Sequence, residues 1–149
     1  MSYRSTKTWG HDLGLSCAFR QWRADSHCQL IHGYAMSIKV EFGASQLDHR
    51  NWVMDFGALK PIKQYLTDTF DHIMLVARDD PHLDTFVELD KFGLANVQVV
   101  ENVGCEAFAE MIFHEIDLWL KAENHAPRVF VTSVEVREHG ANSAIYRVG

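Results

Sequence analysis

The sequence predicts one α+β domain over residues 1–149, a sheet covered by two helices in the order ββααββ. Two stretches with apolar residues at every second position and two with a 3.6-residue period carry that prediction, with strands at both ends of the chain and helices between. With 47% apolar residues in 149, the chain has the size of one domain and enough apolar side chains for a core. No internal repeat, low-complexity run or Pro/Gly-rich linker divides it.

The first strand is predicted from Leu13, where Leu13, Leu15, Cys17 and Phe19 alternate with Asp12, Gly14 and Ser16. After the polar stretch QWRADSHCQ, a cleaner alternation places Tyr34, Met36, Ile38, Val40 and Phe42 on one face, and His32 extends that row. Asp55 precedes an amphipathic helix carrying Leu59, Ile62, Leu66 and Phe70, with Pro61 tolerated in its first turn. Residues 77–96 read as a connecting excursion with a short helix over residues 84–91. Asn102 is positioned to cap a second helix presenting Phe108, Ile112, Glu115 or Ile116, Trp119 and Leu120. Phe130, Thr132, Val134 and Val136 then form a strand row, and a short strand with Ile145 and Tyr146 closes the chain.

Fourteen basic residues against twenty acidic ones give a net charge of -6 without a basic run, which argues against nucleic-acid binding. Three cysteines, Cys17, Cys28 and Cys105, are odd in number and lack paired spacing, so a reducing, cytoplasmic setting is expected. The N-terminal MSYRSTKTWGHDLGL lacks the apolar core of a secretory signal, and nowhere do 18 apolar residues run together, so neither export nor a membrane partner is expected.

Four groups of residues carry possible chemistry. Cys28 stands four residues before His32, with His27 beside it, and strand period puts His32 and Tyr34 on one face. A thiol near imidazoles can act as base or nucleophile, but Cys28 as a small hydrophobe and His32 as a hydrogen-bonded core histidine explain the same residues. Asp71 and His72 follow a helix end, where the carboxylate can fix the imidazole tautomer for proton transfer or the pair can simply form a turn. Glu138 continues the row of Val134 and Val136, and an inward carboxylate needs an Arg, a helix N-terminus or a ligand with N–H donors, unless it frays at the strand end. Glu106 lies in a first helical turn, which favours a carboxylate without any function.

These positions together resemble the 6-pyruvoyl-tetrahydropterin synthase family, and most closely the bacterial 6-carboxy-tetrahydropterin synthases of queuosine biosynthesis. The likeness runs through Leu13 to Phe19, Cys28-x3-His32-Gly33, the block from Asn51 to Phe56 with Leu59-Lys60, Asp71-His72, Glu106 with Ala109, and Glu138 through Tyr146. It implies a T-fold, an antiparallel four-stranded sheet backed by two helices, with chains joining into barrels as a homo-oligomer, commonly a hexamer. It also implies Cys28, Asp71 and His72 as a proton-transfer set beside a pterin side chain, with Glu138, assisted by Glu106, anchoring the ring.

Members of that family bind zinc through three histidines, but the matching positions here are Phe19, His32 and Tyr34. Phenylalanine has no donor and tyrosine must first lose its proton, so the zinc is not carried over with the resemblance. His27, Cys28 and His11 are substitutes on paper, and Arg20 and Arg23 could instead give fixed positive charge to an anionic substrate group. The Pro-Thr of many members reads Val103-Gly104, and the excursion over residues 77–96 is longer than usual. Two functions are expected from this: an enzyme of the carboxy-forming branch acting on 7,8-dihydroneopterin triphosphate, or a zinc-less T-fold pterin- or purine-binding protein or one running a different reaction.

Overall fold

The computed structural model describes residues 1–149. Its strands are β1 (Tyr3–Trp9), β2 (Leu15–Phe19), β3 (His32–Ala44), β4 (Ile73–Ala77), β5 (Val97–Val100), β6 (Val129–His139) and β7 (Asn142–Arg147). Its helices are α1 (Lys60–Phe70), α2 (Leu83–Lys91) and α3 (Cys105–Ala122).

The sheet is larger than the four antiparallel strands expected, and it is mixed. Seven strands join in the order β5-β4-β2-β3-β6-β7, with β1 paired to β3. The 13-residue β3 takes β2 along its first half (Phe19 opposite His32, Leu15 opposite Met36) and β1 along its second (Trp9 opposite Ile38, Tyr3 opposite Ala44). Strand β4 runs parallel to both β2 and β5. Both parallel strands are short, and β4 is the unbroken apolar run Ile-Met-Leu-Val-Ala, which gives no period-two signal. In β1 the sequence is Tyr-Arg-Ser-Thr-Lys-Thr-Trp, and only Trp9 is buried. Leu13 lies in a short 3-10 turn, so the strand expected from it starts at Leu15.

Helices α1 and α3 supply the other layer. Ile62, Leu66 and Phe70 from α1 and Phe108, Ile112, Ile116 and Leu120 from α3 join Met36, Ile38, Val40, Val134 and Val136 in one buried cluster. Each such side chain contributes about 1.5–3 kcal/mol by leaving water. Asp55 caps a 3-10 turn, Phe56–Leu59, by accepting the Gly57 N–H at 2.8 Å, and α1 follows with Pro61 near its start. Asn102 is not the cap of α3. The helix starts after Gly104, whose φ of +114° favours glycine.

Two irregularities in β6 decide which way its side chains point. The register with β3 shifts between Glu41 and Phe42, so Thr132 is an extra residue and donates to Glu41 Oε1 at 2.7 Å. The buried row is therefore Val129 and Val131, then Val134 and Val136, and not the row through Phe130 and Thr132 that strict alternation predicts. A second shift falls between Arg137, opposite Ser143, and His139, opposite Asn142, leaving Glu138 as the bulged residue. No helix is long and apolar enough to cross a membrane.

Candidate active site

The β2–β3 pairing builds one wall of the site. Phe19 faces His32 and Cys17 faces Tyr34 across the two strands. A Cβ on Gly33, between His32 and Tyr34, would run into the Cys17 carbonyl, so this close approach of backbones needs glycine. The rings of Phe19, His32 and Tyr34 form a cluster with centroid separations of 5.5 to 6.2 Å, and Phe108 of α3 closes edge-on against Phe19 at 5.2 Å. His139, just past the bulge, lies 6.2 Å from the Tyr34 ring.

Glu138 faces this cluster from β6 and is half-buried. Cys105 Sγ, in the first turn of α3, donates to Glu138 Oε1 at 3.6 Å. Burial, then the negative charge of Glu138, raises the Tyr34 phenol, with smaller contributions from Cys28 and Cys105. Burial, followed by Glu138, also pushes the Cys105 thiol up to about 12 from 9.0. Two neutral groups, the Cys105 thiol and the Tyr34 phenol, thus face the Glu138 side chain. A cavity of about 250 Å³ opens beside it, lined by Cys105, Glu106, Glu138, Asn142, Ser143 and Ala144. Glu106 is exposed at its rim. Sequence reasoning missed Cys105; its only signal was its place directly before Glu106 in a first helical turn.

Cys28 lies in a 3-10 turn, His27–Gln29, and is half-buried while His27 is exposed. Of the three cysteines it alone is not deeply buried, and burial pushes the Cys17 thiol, like that of Cys105, up to about 12. No hydrogen bond or ion pair joins Cys28 to the Asp71–His72 pair within the chain. His72 Nδ1 meets Asp71 Oδ1 at 2.8 Å, and the His72 N–H donates to the Ser16 carbonyl, three residues along β2 from Phe19. The His72 side chain is 85% exposed, and its φ of +59° is a conformation non-glycine residues seldom adopt. Outliers of this kind gather at functional positions.

The donor set does not fit a three-ligand zinc site within the chain. Phe19 offers no donor, the Tyr34 phenol is held protonated, and His32 Nδ1 is 2.7 Å from the Leu30 carbonyl, leaving Nε2 alone. His11 Nδ1 is taken by the Ala35 carbonyl, and no three His, Cys, Asp or Glu side chains converge. Arg20 and Arg23 are not free for an anionic ligand either. Arg20 forms a two-pronged pair with Asp80, both contacts at 2.9 Å, and Arg23 meets Asp79 at 2.7 Å. A larger groove, about 540 Å³, runs between α1, β5 and α3, but none of the site residues above lines it.

Comparison with known proteins bears on this geometry. Residues 11–148 match the family model described as 6-pyruvoyl tetrahydropterin synthase. A 6-carboxy-5,6,7,8-tetrahydropterin synthase of Aquifex aeolicus is 23% identical over 145 residues, covering 95% of this chain and 90% of that protein. Among solved structures, an uncharacterised protein of Wolinella succinogenes superposes with a TM-score of 0.85 at 19% identity, covering 100% of this chain and 99% of that one. The 6-pyruvoyl tetrahydropterin synthase of Plasmodium falciparum superposes with a TM-score of 0.72 at 11% identity, covering 99% and 98%. These structural likenesses speak for the fold.

Proposed function

The chain belongs to the 6-pyruvoyl tetrahydropterin synthase family, and on that premise we propose that it is a lyase-type enzyme of the 6-carboxy-tetrahydropterin-forming kind, acting on 7,8-dihydroneopterin triphosphate or a close pterin. The observation that carries the proposal is the Glu138 carboxylate, set at a β-bulge and faced by the neutral groups of Cys105 and Tyr34 beside an open cavity. A carboxylate so held accepts paired N–H groups from the aminopyrimidine edge of a pterin. Glu106 at the rim assists, and Cys28 with the Asp71–His72 pair moves protons along the substrate side chain.

A homo-oligomer, a hexamer by family likeness, is part of the proposal. The cavity of about 250 Å³ is smaller than the roughly 300–1,000 Å³ of a usual ligand site. No hydrogen bond joins Asp71 or His72 to Cys28 within the chain, and the imidazole is exposed. A second chain that brings its own Asp71–His72 pair to Cys28 would complete both the cavity and the proton-transfer set.

The Phe19 and Tyr34 positions favour a second reading, a T-fold pterin- or purine-binding protein or a different reaction on a similar heterocycle. Turnover separates the two. Purified protein incubated with 7,8-dihydroneopterin triphosphate should form a tetrahydropterin, and Cys28→Ala should abolish product while binding ligand about as well as the parent. Equal turnover by Cys28→Ala rejects its role. Binding without turnover by the parent selects the second reading.

A further inference from the structure

The segment carrying Cys28 has little apolar anchorage of its own. No residue of its 3-10 turn is buried, and Leu30 and Ile31, which follow it, are 66% and 49% exposed. What fixes it is polar: the Cys28 N–H donates to Ser26 Oγ at 3.3 Å and Gln29 Nε2 to the Ala24 carbonyl at 3.2 Å, and a further link runs through Arg20 to Asp80, which lies with Asp79 between β4 and α2.

Arg20 makes that further link on both sides. Its Nε and Nη2 donate to the two oxygens of Asp80 at 2.9 Å each, and its Nη1 donates to the carbonyl of Gln29, next to Cys28, at 3.3 Å. The Asp80 side chain is 1% exposed, and its Oδ1 also accepts the His82 N–H at 2.8 Å. Phe86, the buried residue of α2, lies under the guanidinium with its centroid 5.9 Å away. On the other side, the Gln21 N–H donates to the Cys28 carbonyl at 3.0 Å. Asp79 adds an outer link, accepting from Trp22 Nε1 at 3.2 Å and Arg23 Nη2 at 2.7 Å, with the Arg23 guanidinium stacked 4.4 Å over the Trp22 ring.

We propose that Asp80, acting through Arg20, with Asp79 as an outer link to Trp22 and Arg23, is a positioning device that sets the Cys28 thiol at the active site. The long excursion after β4 thereby has a role in the reaction: it presents the carboxylates that hold the cysteine segment. Arg20 is a positioning residue, since its guanidinium is taken up by Asp80 and by the backbone beside Cys28. The planar guanidinium is needed because three of its N–H groups are used at once, a fork that a lysine ammonium cannot reproduce. The proposal rests on the reading of Cys28 as the reacting thiol.

Cys17 and Cys105 are buried, so Cys28 is the one thiol open to alkylation in the folded chain. The test follows iodoacetamide alkylation of Cys28 by intact mass in the native protein, in Arg20→Lys and in Asp80→Asn, with kcat and KM measured in parallel on 7,8-dihydroneopterin triphosphate. The expected result is alkylation about fivefold faster or more in both variants, because the segment opens without global unfolding. In the same variants kcat should fall by about tenfold or more with KM little changed, since small misplacement of a reacting group costs rate and not binding. Circular dichroism identifies variants that fail to fold. Arg20→Lys, which keeps the charge and the pair with Asp80, decides the matter if Asp80→Asn does not fold. Alkylation within about twofold of the parent in folded Arg20→Lys overturns the proposal. Faster alkylation with no turnover in the parent leaves the tether standing and removes the catalytic reading of Cys28, so the two failures are distinguishable.

Discussion

Tyr34 and Glu138 act on one another. A phenol raised by burial and by a facing carboxylate keeps its proton and offers a donor at neutral pH. Glu138→Gln removes the charge that a pterin edge would meet and leaves two donors facing an amide. Ligand affinity should fall by about 10- to 100-fold, corresponding to roughly 1.5–3 kcal/mol for a hydrogen bond to a charged group. Titration calorimetry with a pterin reads this directly, and unchanged affinity rejects the anchor. The buried thiols carry a second expectation. Cys17 and Cys105 sit near 12 in the fold against an ordinary 9.0, so on raising the pH the unfolded chain loses those protons first. Their stabilising effect is whole below about pH 9 and is lost as the pH rises from there toward 12. Denaturation midpoints measured from pH 8 to 11 should fall, and less so in Cys17→Ala. At this scale the sequence was informative where period alone settles direction, as for His32 and Tyr34 on one face. It was silent on Cys105 and Asp80, whose partners Glu138 and Arg20 lie 33 and 60 residues away.

The long elements were legible and the short ones were not. Strand β3 and helices α1 and α3 bury one face against the core, so their spacing shows in the sequence. The helix expected over residues 84–91 is α2, Leu83–Lys91. Strands β4 and β5 lie in the parallel part of the sheet and have no alternation to read, and β1 carries mostly polar side chains. The bulges escaped as well, since an extra residue inverts inward and outward and cannot be seen without the partner strand. Strict alternation still placed Glu138 inward, because the shift at Thr132 precedes Val134 and leaves the parity from Val134 to Glu138 intact. Phe108 joins α3 to the site, meeting Phe19 at 5.2 Å and Phe70 at 5.4 Å while wholly buried. Phe108→Ala should cost about 3–5 kcal/mol in urea denaturation and loosen the aromatic wall behind His32 and Tyr34. A loss under about 1 kcal/mol would mean that this packing does not hold the site.

Over the whole molecule, the proposed function divides its site between two parts of one chain. Cys28, the aromatic wall and Glu138 gather at one place, while Asp71 and His72 sit at the start of β4 with the imidazole exposed. The family likeness, residues 11–148, covers both halves. The proposed function joins Cys28 of one chain to the Asp71–His72 pair of another. The decisive measurement is turnover of 7,8-dihydroneopterin triphosphate after unfolding and refolding an equal mixture of Cys28→Ala and His72→Ala chains, each inactive by itself. Shared sites predict that the mixture regains about a quarter of parent activity, the fraction of sites that draws both intact residues from different chains. A refolded mixture as inactive as its components would contradict the shared site.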